Sequence, residues 1–287
     1  MKNENKVLAC VDQSRFADHV ADYAVWAARR LDAPLEFLHV IDRHPEIGSG
    51  NDHSGAIGIN SQENLLNQLS LEDETRTKTI REQGRIFLNR LRERAIIAGT
   101  KSVDIRQRHG ELEETLAEQA GDVRFLVLGR RGESAEMTQR DIGRNVERVV
   151  RALHKPILAV TEAFREPQRV MLAFDGGSVT RRGVELIAAS PLLRGLPIHL
   201  LMSGKESHDA TRQLEWARST LAAAGYEVSV SLAPGDAESI IAKTVREQSI
   251  DLLIMGAYSH SSARALFFGS KTTDLLRSAS IPTLLLR

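Results

Sequence analysis

The sequence predicts an α/β protein made of two tandem, doubly wound parallel five-stranded sheets with helices on both faces. Short apolar runs alternate with segments of helical spacing along the whole chain, which is the pattern of βαβ units. The pattern also occurs twice. RFLVLGRRGESAEMTQRDIGRNVERVVR (from Arg124) matches DLLIMGAYSHSSARALFFGSKTTDLLR (from Asp251), and HKPILAV matches ASIPTLLLR. The beginnings agree as well, KVLACVDQS (from Lys6) against RVMLAFDGGS (from Arg169). Finally, 287 residues suffice for two cores of ordinary size. Asp12 to Asp175 is an offset of 163, whereas Gly129 to Gly256 is 127, so the first half carries 36 extra residues. This is a tandem duplication, dividing the chain into residues 1–162 and 168–287 with TEAFREPQ (161–168) as the link.

The first half opens with Val7 to Val11, too compact for a helix and continuously apolar, as in a strand buried on both faces. Asp12 or Ser14 caps the next helix, which places Phe16, Val20, Ala24, Ala27 and Leu31 on one face. Pro34 ends that region, and Leu35 to Ile41 form a second strand. Residues 43–62, rich in Gly, Ser, Asn and His, read as a mobile insertion. Helical spacing then runs over 63–98 with Ile80, Phe87, Leu91 and Ala95 on its clearest face. The earlier Leu65, Leu66, Leu69 and Leu71 mark a separate short helix. A strand from Val103, a helix through Leu112 and Leu116, strand Phe125–Leu128, helix 144–153 and strand Ile157–Val160 complete the half.

The second half repeats this with strands at Val170–Phe174, Ile198–Met202, Tyr226–Leu232, Leu252–Met255 and Thr283–Leu286. Its helices lie near 179–189, 207–224, 236–248 and 270–279, the third capped by Asp236. In such sheets ligands sit beyond the carboxyl ends of the strands, where strand order reverses. Asp12 and Asp175 fall at that edge after their first strands, and the glycine loops fall there after the fourth.

Strand, glycine loop and helix N-terminus together can hold a phosphate, because glycines admit close approach and first-turn N–H groups point at the anion. In the second half Gly256, Gly269 and Ser270 supply this frame, with Thr272 as a further hydroxyl and Arg264 and Lys271 as charges. An ordinary capped turn would look similar, since serine is a common N-cap.

With these residues in view, the chain resembles the universal stress protein family in its tandem two-domain form, over all but the 43–62 insertion. The family signature is Gly-x2-Gly-x9-Gly-Ser/Thr after the fourth strand, joined by an Asp after the first. In nucleotide-binding members that Asp and the residue ending the second strand hold adenosine, and the glycine loop holds the phosphates. The resemblance therefore implies an adenine nucleotide site, with ATP (with or without Mg) held by Asp175, Met202, Gly256, Ser259, Arg264, Gly269, Ser270, Lys271 and Thr272. A degenerate second site would comprise Asp12, Val40, Gly129, Gly132, Gly143, Arg144 and Asn145. Two departures matter. Ser259 stands where the second glycine belongs, and ten residues rather than nine separate Gly132 from Gly143, with Arg144-Asn145 replacing the hydroxyl. The second half is thus the expected principal site. The resemblance also implies pairing through the last strand of each half, which gives an intrachain pseudo-dimer and leaves a homodimer open.

Several functions are disfavoured. The 38 basic and 38 acidic residues cancel, which argues against nucleic-acid or membrane-surface binding by bulk charge. The single Cys10, inside a strand, cannot form an internal disulfide or a cysteine metal site, and His44 and His53 have no fixed frame, so no metal site is expected. Neither a G-x-G-x-x-G after the first strand nor a P-loop is present. No catalytic constellation is specified; at most slow ATP hydrolysis or self-phosphorylation is expected, as in some relatives. With no apolar stretch of signal or membrane length, the cytoplasm is the expected compartment. The reading is a stress-response module that binds ATP and is read by an unidentified protein partner. Its rival is an interaction scaffold, or a binder of another small ligand, with degenerate sites.

Overall fold

The computed structural model describes residues 5–41, 61–130, 144–160, 163–257 and 281–287. The first half runs β1 (Lys6–Cys10), α1 (Ala17–Leu31), β2 (Leu35–Ile41), α2 (Ser61–Ile97), β3 (Val103–His109), α3 (Leu112–Gln119), β4 (Val123–Gly129), α4 (Arg144–Ala152) and β5 (Ile157–Val160). The second runs β6 (Val170–Ala173), α5 (Ser178–Ala189), β7 (Ile198–Ser203), α6 (His208–Ala223), β8 (Val228–Ala233), α7 (Ala237–Glu247), β9 (Leu252–Gly256) and β10 (Thr283–Leu286).

Both halves have the same strand order, but they do not form two sheets. One ten-stranded sheet runs β3-β2-β1-β4-β5-β10-β9-β6-β7-β8. Within each half every pairing is parallel; the seam is antiparallel, with Thr283 opposite Ala159 and Leu285 opposite Ile157. Joining there covers an edge strand of each half, whose unpaired N–H and C=O groups would otherwise face water. The two five-stranded sheets expected from the sequence thus join, through the last strand of each half as the resemblance implies, into this single mixed sheet.

The core follows from strand alternation. Val7, Ala9, Leu158, Leu172 and Leu284 face one side and pack under α1, α2, α5 and α6. Leu8, Cys10, Ala159, Met171 and Leu285 face the other and pack under α3, α4 and α7. Each apolar cluster crosses the seam, so the halves share a core on both faces.

One continuous helix, α2, spans Ser61–Ile97, so the expected separate short helix merges into it. Its buried stripe of Gly84, Leu88, Leu91 and Ala95, with Phe87 partly covered, follows the helical repeat over β2 and β3. Arg94 pairs with Asp22 of α1 at 2.7 Å and Arg90 with Asp18 at 2.8 Å, which orients the exposed flank. Such surface pairs contribute only about 0–1 kcal/mol each, so burial dominates.

Candidate functional site

The order β3-β2-β1-β4-β5 means the chain leaves β1 in one direction and returns on its other side at β4. In such sheets the carboxyl ends of those two strands are where a ligand crevice lies. Cys10 lies beside Leu128, which brings Asp12 next to Gly129 and Arg130. Ala173 lies beside Met255, which does the same for Asp175 and Gly256. Asp-bearing and glycine-bearing ends therefore meet in both halves.

In the second half the turn after β6 is built around Asp175. Its Oδ1 accepts the Gly177 N–H at 2.9 Å and the Thr180 hydroxyl at 2.6 Å. Gly176 has φ +71°, a region that favours glycine, and a Cβ there would lie 1.5 Å from Gln213 Oε1. Thr180 lies in the first turn of α5, where a carboxylate complements the positive end of the helix. That turn rests on the end of β9: a Cβ on Gly256 would stand 3.1 Å from Thr180 Cγ2 and 3.3 Å from Val179 Cγ1. Gly256 serves close packing here.

The first half solves the same turn differently. Asp12 Oδ1 accepts the Ser14 hydroxyl at 2.5 Å and its N–H at 3.2 Å, and Ser14 Oγ in turn accepts the Phe16 N–H. Five residues after Asp12 stands Ala17, with no hydroxyl, where the second half has Thr180. After β4 comes Arg130, whose N–H continues the sheet to Val160 O at 3.1 Å. Its side chain is buried and crosses the seam, donating to Thr283 Oγ1 at 2.6 Å and to Ile281 O. Burial pushes its pKa down to about 10, which leaves it a cation at neutral pH. The equivalent residue, Ala257, keeps the backbone bond, to Leu286 O at 2.7 Å, and has no such arm.

Of the residues the sequence singled out, the structure brings Asp12, Val40 and Gly129 to one strand-end crevice and Asp175 and Gly256 to the other. Val40 is half-buried in line with Asp12. Met202 is the penultimate residue of β7 and buried in the core; the residue in line with Asp175 is Ser203, whose hydroxyl donates to Gly235 O at 2.9 Å. Arg144 and Asn145 begin α4. Gly132, Gly143, Ser259, Arg264, Gly269, Ser270, Lys271 and Thr272 lie outside the described residues, as do His44, His53 and the 43–60 part of the insertion.

The two strand histidines are not equivalent. His39 is the fifth residue of β2 and pairs its Nδ1 with Val11 O at 3.0 Å under the Phe87 ring. His199 is the second residue of β7, with Nδ1 2.8 Å from Ser229 Oγ, and burial lowers its pKa. Burial, followed by the Glu36 charge, pushes the Cys10 thiol up to about 12, so it is an inert core group. Sequence reasoning missed Thr180, Ser203 and Arg130. Thr180 was findable as the first-turn hydroxyl after a D-G-G turn, and Ser203 from the offset of 163; nothing local signals the reach of Arg130.

The universal stress protein family model matches residues 4–161 and again 167–287. The universal stress protein Slr1230 of Synechocystis is 35% identical over 290 residues, covering 100% of both chains. A universal stress protein structure from Archaeoglobus fulgidus covers 99% of this chain and 97% of its own at 17% identity and TM-score 0.67. A functionally unknown protein from Pseudomonas aeruginosa covers 99% of this chain and 93% of its own, with 17% identity and TM-score 0.61. The chain belongs to the universal stress protein family, in its tandem two-domain form.

Proposed function

We propose that this universal stress protein binds an adenine nucleotide, ATP foremost, at the second-half crevice and acts as a nucleotide-dependent regulatory module in the cytoplasm. The observation that carries the reading is the joined unit of Asp175, Thr180 and Gly256 at the strand-order reversal. A carboxylate there can accept from ribose hydroxyls, and the family motif that begins at Gly256 is the segment expected to meet the phosphates. Asp175 is held by a backbone amide and a hydroxyl, so its position is set before ligand arrives.

The first half is the weaker site. Its cation next to the glycine loop, Arg130, is spent on Ile281 and Thr283 across the seam. Arg144 and Asn145 also replace the expected hydroxyl. These features favour the second reading for that half, a degenerate site whose surface serves an interaction with a protein partner. No catalytic step is assigned.

The test is mass spectrometry of ligand released from the denatured purified protein, followed by titration of stripped protein with Mg-ATP. About one nucleotide per chain, lost on Gly269→Leu, is the expected result. Unchanged affinity in Gly269→Leu, or no binding at millimolar Mg-ATP, would overturn the assignment.

A further inference from the structure

The duplication gives the seam two equivalent clefts, and the chain fills only one. The offset of 163 makes Tyr23 of α1 the counterpart of Leu186 of α5, and the offset of 127 makes Asp251 the counterpart of Arg124. The link between the halves lies along the first cleft. Phe164 packs edge-on against Tyr23 at 4.8 Å between ring centres, and the Tyr23 hydroxyl donates to Ala163 O at 3.1 Å. The link then ends on Asp251, whose carboxylate accepts the N–H groups of Gln168 and Arg169 at 2.9–3.0 Å. Tyr23 is thereby 1% exposed, while Leu186 is 42% exposed.

A two-domain chain has one link, and the second cleft stands as a groove of about 480 Å³. This size suits a small molecule. Leu31, Leu186 and Leu193 supply apolar wall, while Arg124, His154 and Lys155 supply donors. Among the described residues that line it there is no Asp or Glu, although the whole chain carries equal numbers of both signs. The first cleft offers a carboxylate to N–H donors; the second reverses this and offers a guanidinium at the same place. The counterpart of Lys155 is Ile281, so the cationic end belongs to the second cleft alone. Another cavity, along β8, is lined by Glu206 and Glu215 as well as by Arg218 and has no such one-signed lining.

We propose that this groove is a binding site for a small carboxylate with an apolar body, distinct from the nucleotide crevices. The carboxylate meets Arg124, and the body lies along Leu186 and Leu193, as Phe164 lies along Tyr23 in the filled cleft. Arginine suits the role because its fork matches a carboxylate.

Isothermal titration with octanoate at pH 8, using octanol as the uncharged body, tests the proposal. Octanoate is expected to bind one per chain, about tenfold more tightly than octanol, given the usual worth of a charge-assisted hydrogen bond. Arg124→Gln should weaken octanoate about tenfold and leave octanol unchanged. Leu186→Glu, an exposed position that tolerates substitution, should abolish octanoate binding without altering ATP binding. The proposal is overturned by any of three results: no saturable octanoate binding below its micelle concentration, binding that neither variant alters, or displacement of octanoate by ATP.

Discussion

Thr180 donates its hydroxyl to Asp175 Oδ1 at 2.6 Å, and its methyl carbon lies where a Cβ on Gly256 would come within 3.1 Å. One threonine thus fixes the carboxylate and the seating of α5 on β9. Replacing it with valine keeps the shape and removes the donor. We expect Thr180→Val to lose about 1–2 kcal/mol in urea unfolding and to bind ATP several-fold more weakly. Thr180→Ser, which keeps the hydroxyl, should recover most of the ATP affinity. Equal affinities for the two variants would remove Asp175 from the site.

Gly256 makes a separate prediction. Val179 and Thr180 belong to the packed first turn of α5 and have little room to retreat. Gly256→Val should cost about 1–3 kcal/mol through overpacking, seen as a lower urea midpoint.

The seam predicts a third result. Arg130 reaches from the end of β4 to Ile281 and Thr283 and brings a buried cation into the joint between the halves. Arg130→Met leaves the Thr283 hydroxyl and the Ile281 carbonyl without this donor and should cost about 1–3 kcal/mol. Denaturation followed by probes in each half would show the loss in both, because both apolar clusters cross the seam.

Cys10 should be silent in the native protein. Its thiol, pushed up to about 12, holds its proton more tightly folded than unfolded. Its contribution to stability is therefore complete below the ordinary thiol range and is lost as pH rises from about 9 toward 12. Labelling with a thiol-reactive disulfide at pH 8 should follow global unfolding; fast native labelling would contradict the burial.

His199 works at the acid end. Burial lowers its pKa, so the unfolded chain takes up this proton first as pH falls. The stability it contributes is present above the ordinary histidine pKa of 6.5 and is lost as pH drops through the lowered value. His199→Gln should flatten the loss of stability below about pH 6.5, and NMR titration of the ring should report the depressed midpoint.

Much of this was legible in the chain because duplication prints the same periodicity twice. Strands β5 and β10 fall on Ile157–Val160 and Thr283–Leu286 as their apolar runs and preceding prolines indicate. The buried stripe of α2 was readable from Phe87, Leu91 and Ala95, though not the continuity of its first turns, where leucines without a breaker fit one helix or two. Asp175 and Gly256 fall at neighbouring strand ends, as their positions relative to the apolar runs indicate. Thr180 was not legible, because a threonine opening a helix looks like any other cap residue. Ser203 was displaced by Met202, since an apolar run gives no sign of where pairing stops, whereas backbone register does. The seam between β5 and β10 was expected from the resemblance, but the reach of Arg130 and the filled and open clefts were not, because no local pattern encodes which side chains the seam brings together.

The central claim is that the second half carries the nucleotide site, and titration of ATP into Asp175→Ala and Asp12→Ala tests it most directly. Asp175→Ala is expected to lose at least about tenfold in affinity while Asp12→Ala stays near the parent protein. Loss in Asp12→Ala with Asp175→Ala unaffected would place the nucleotide in the first half and overturn the assignment to Asp175.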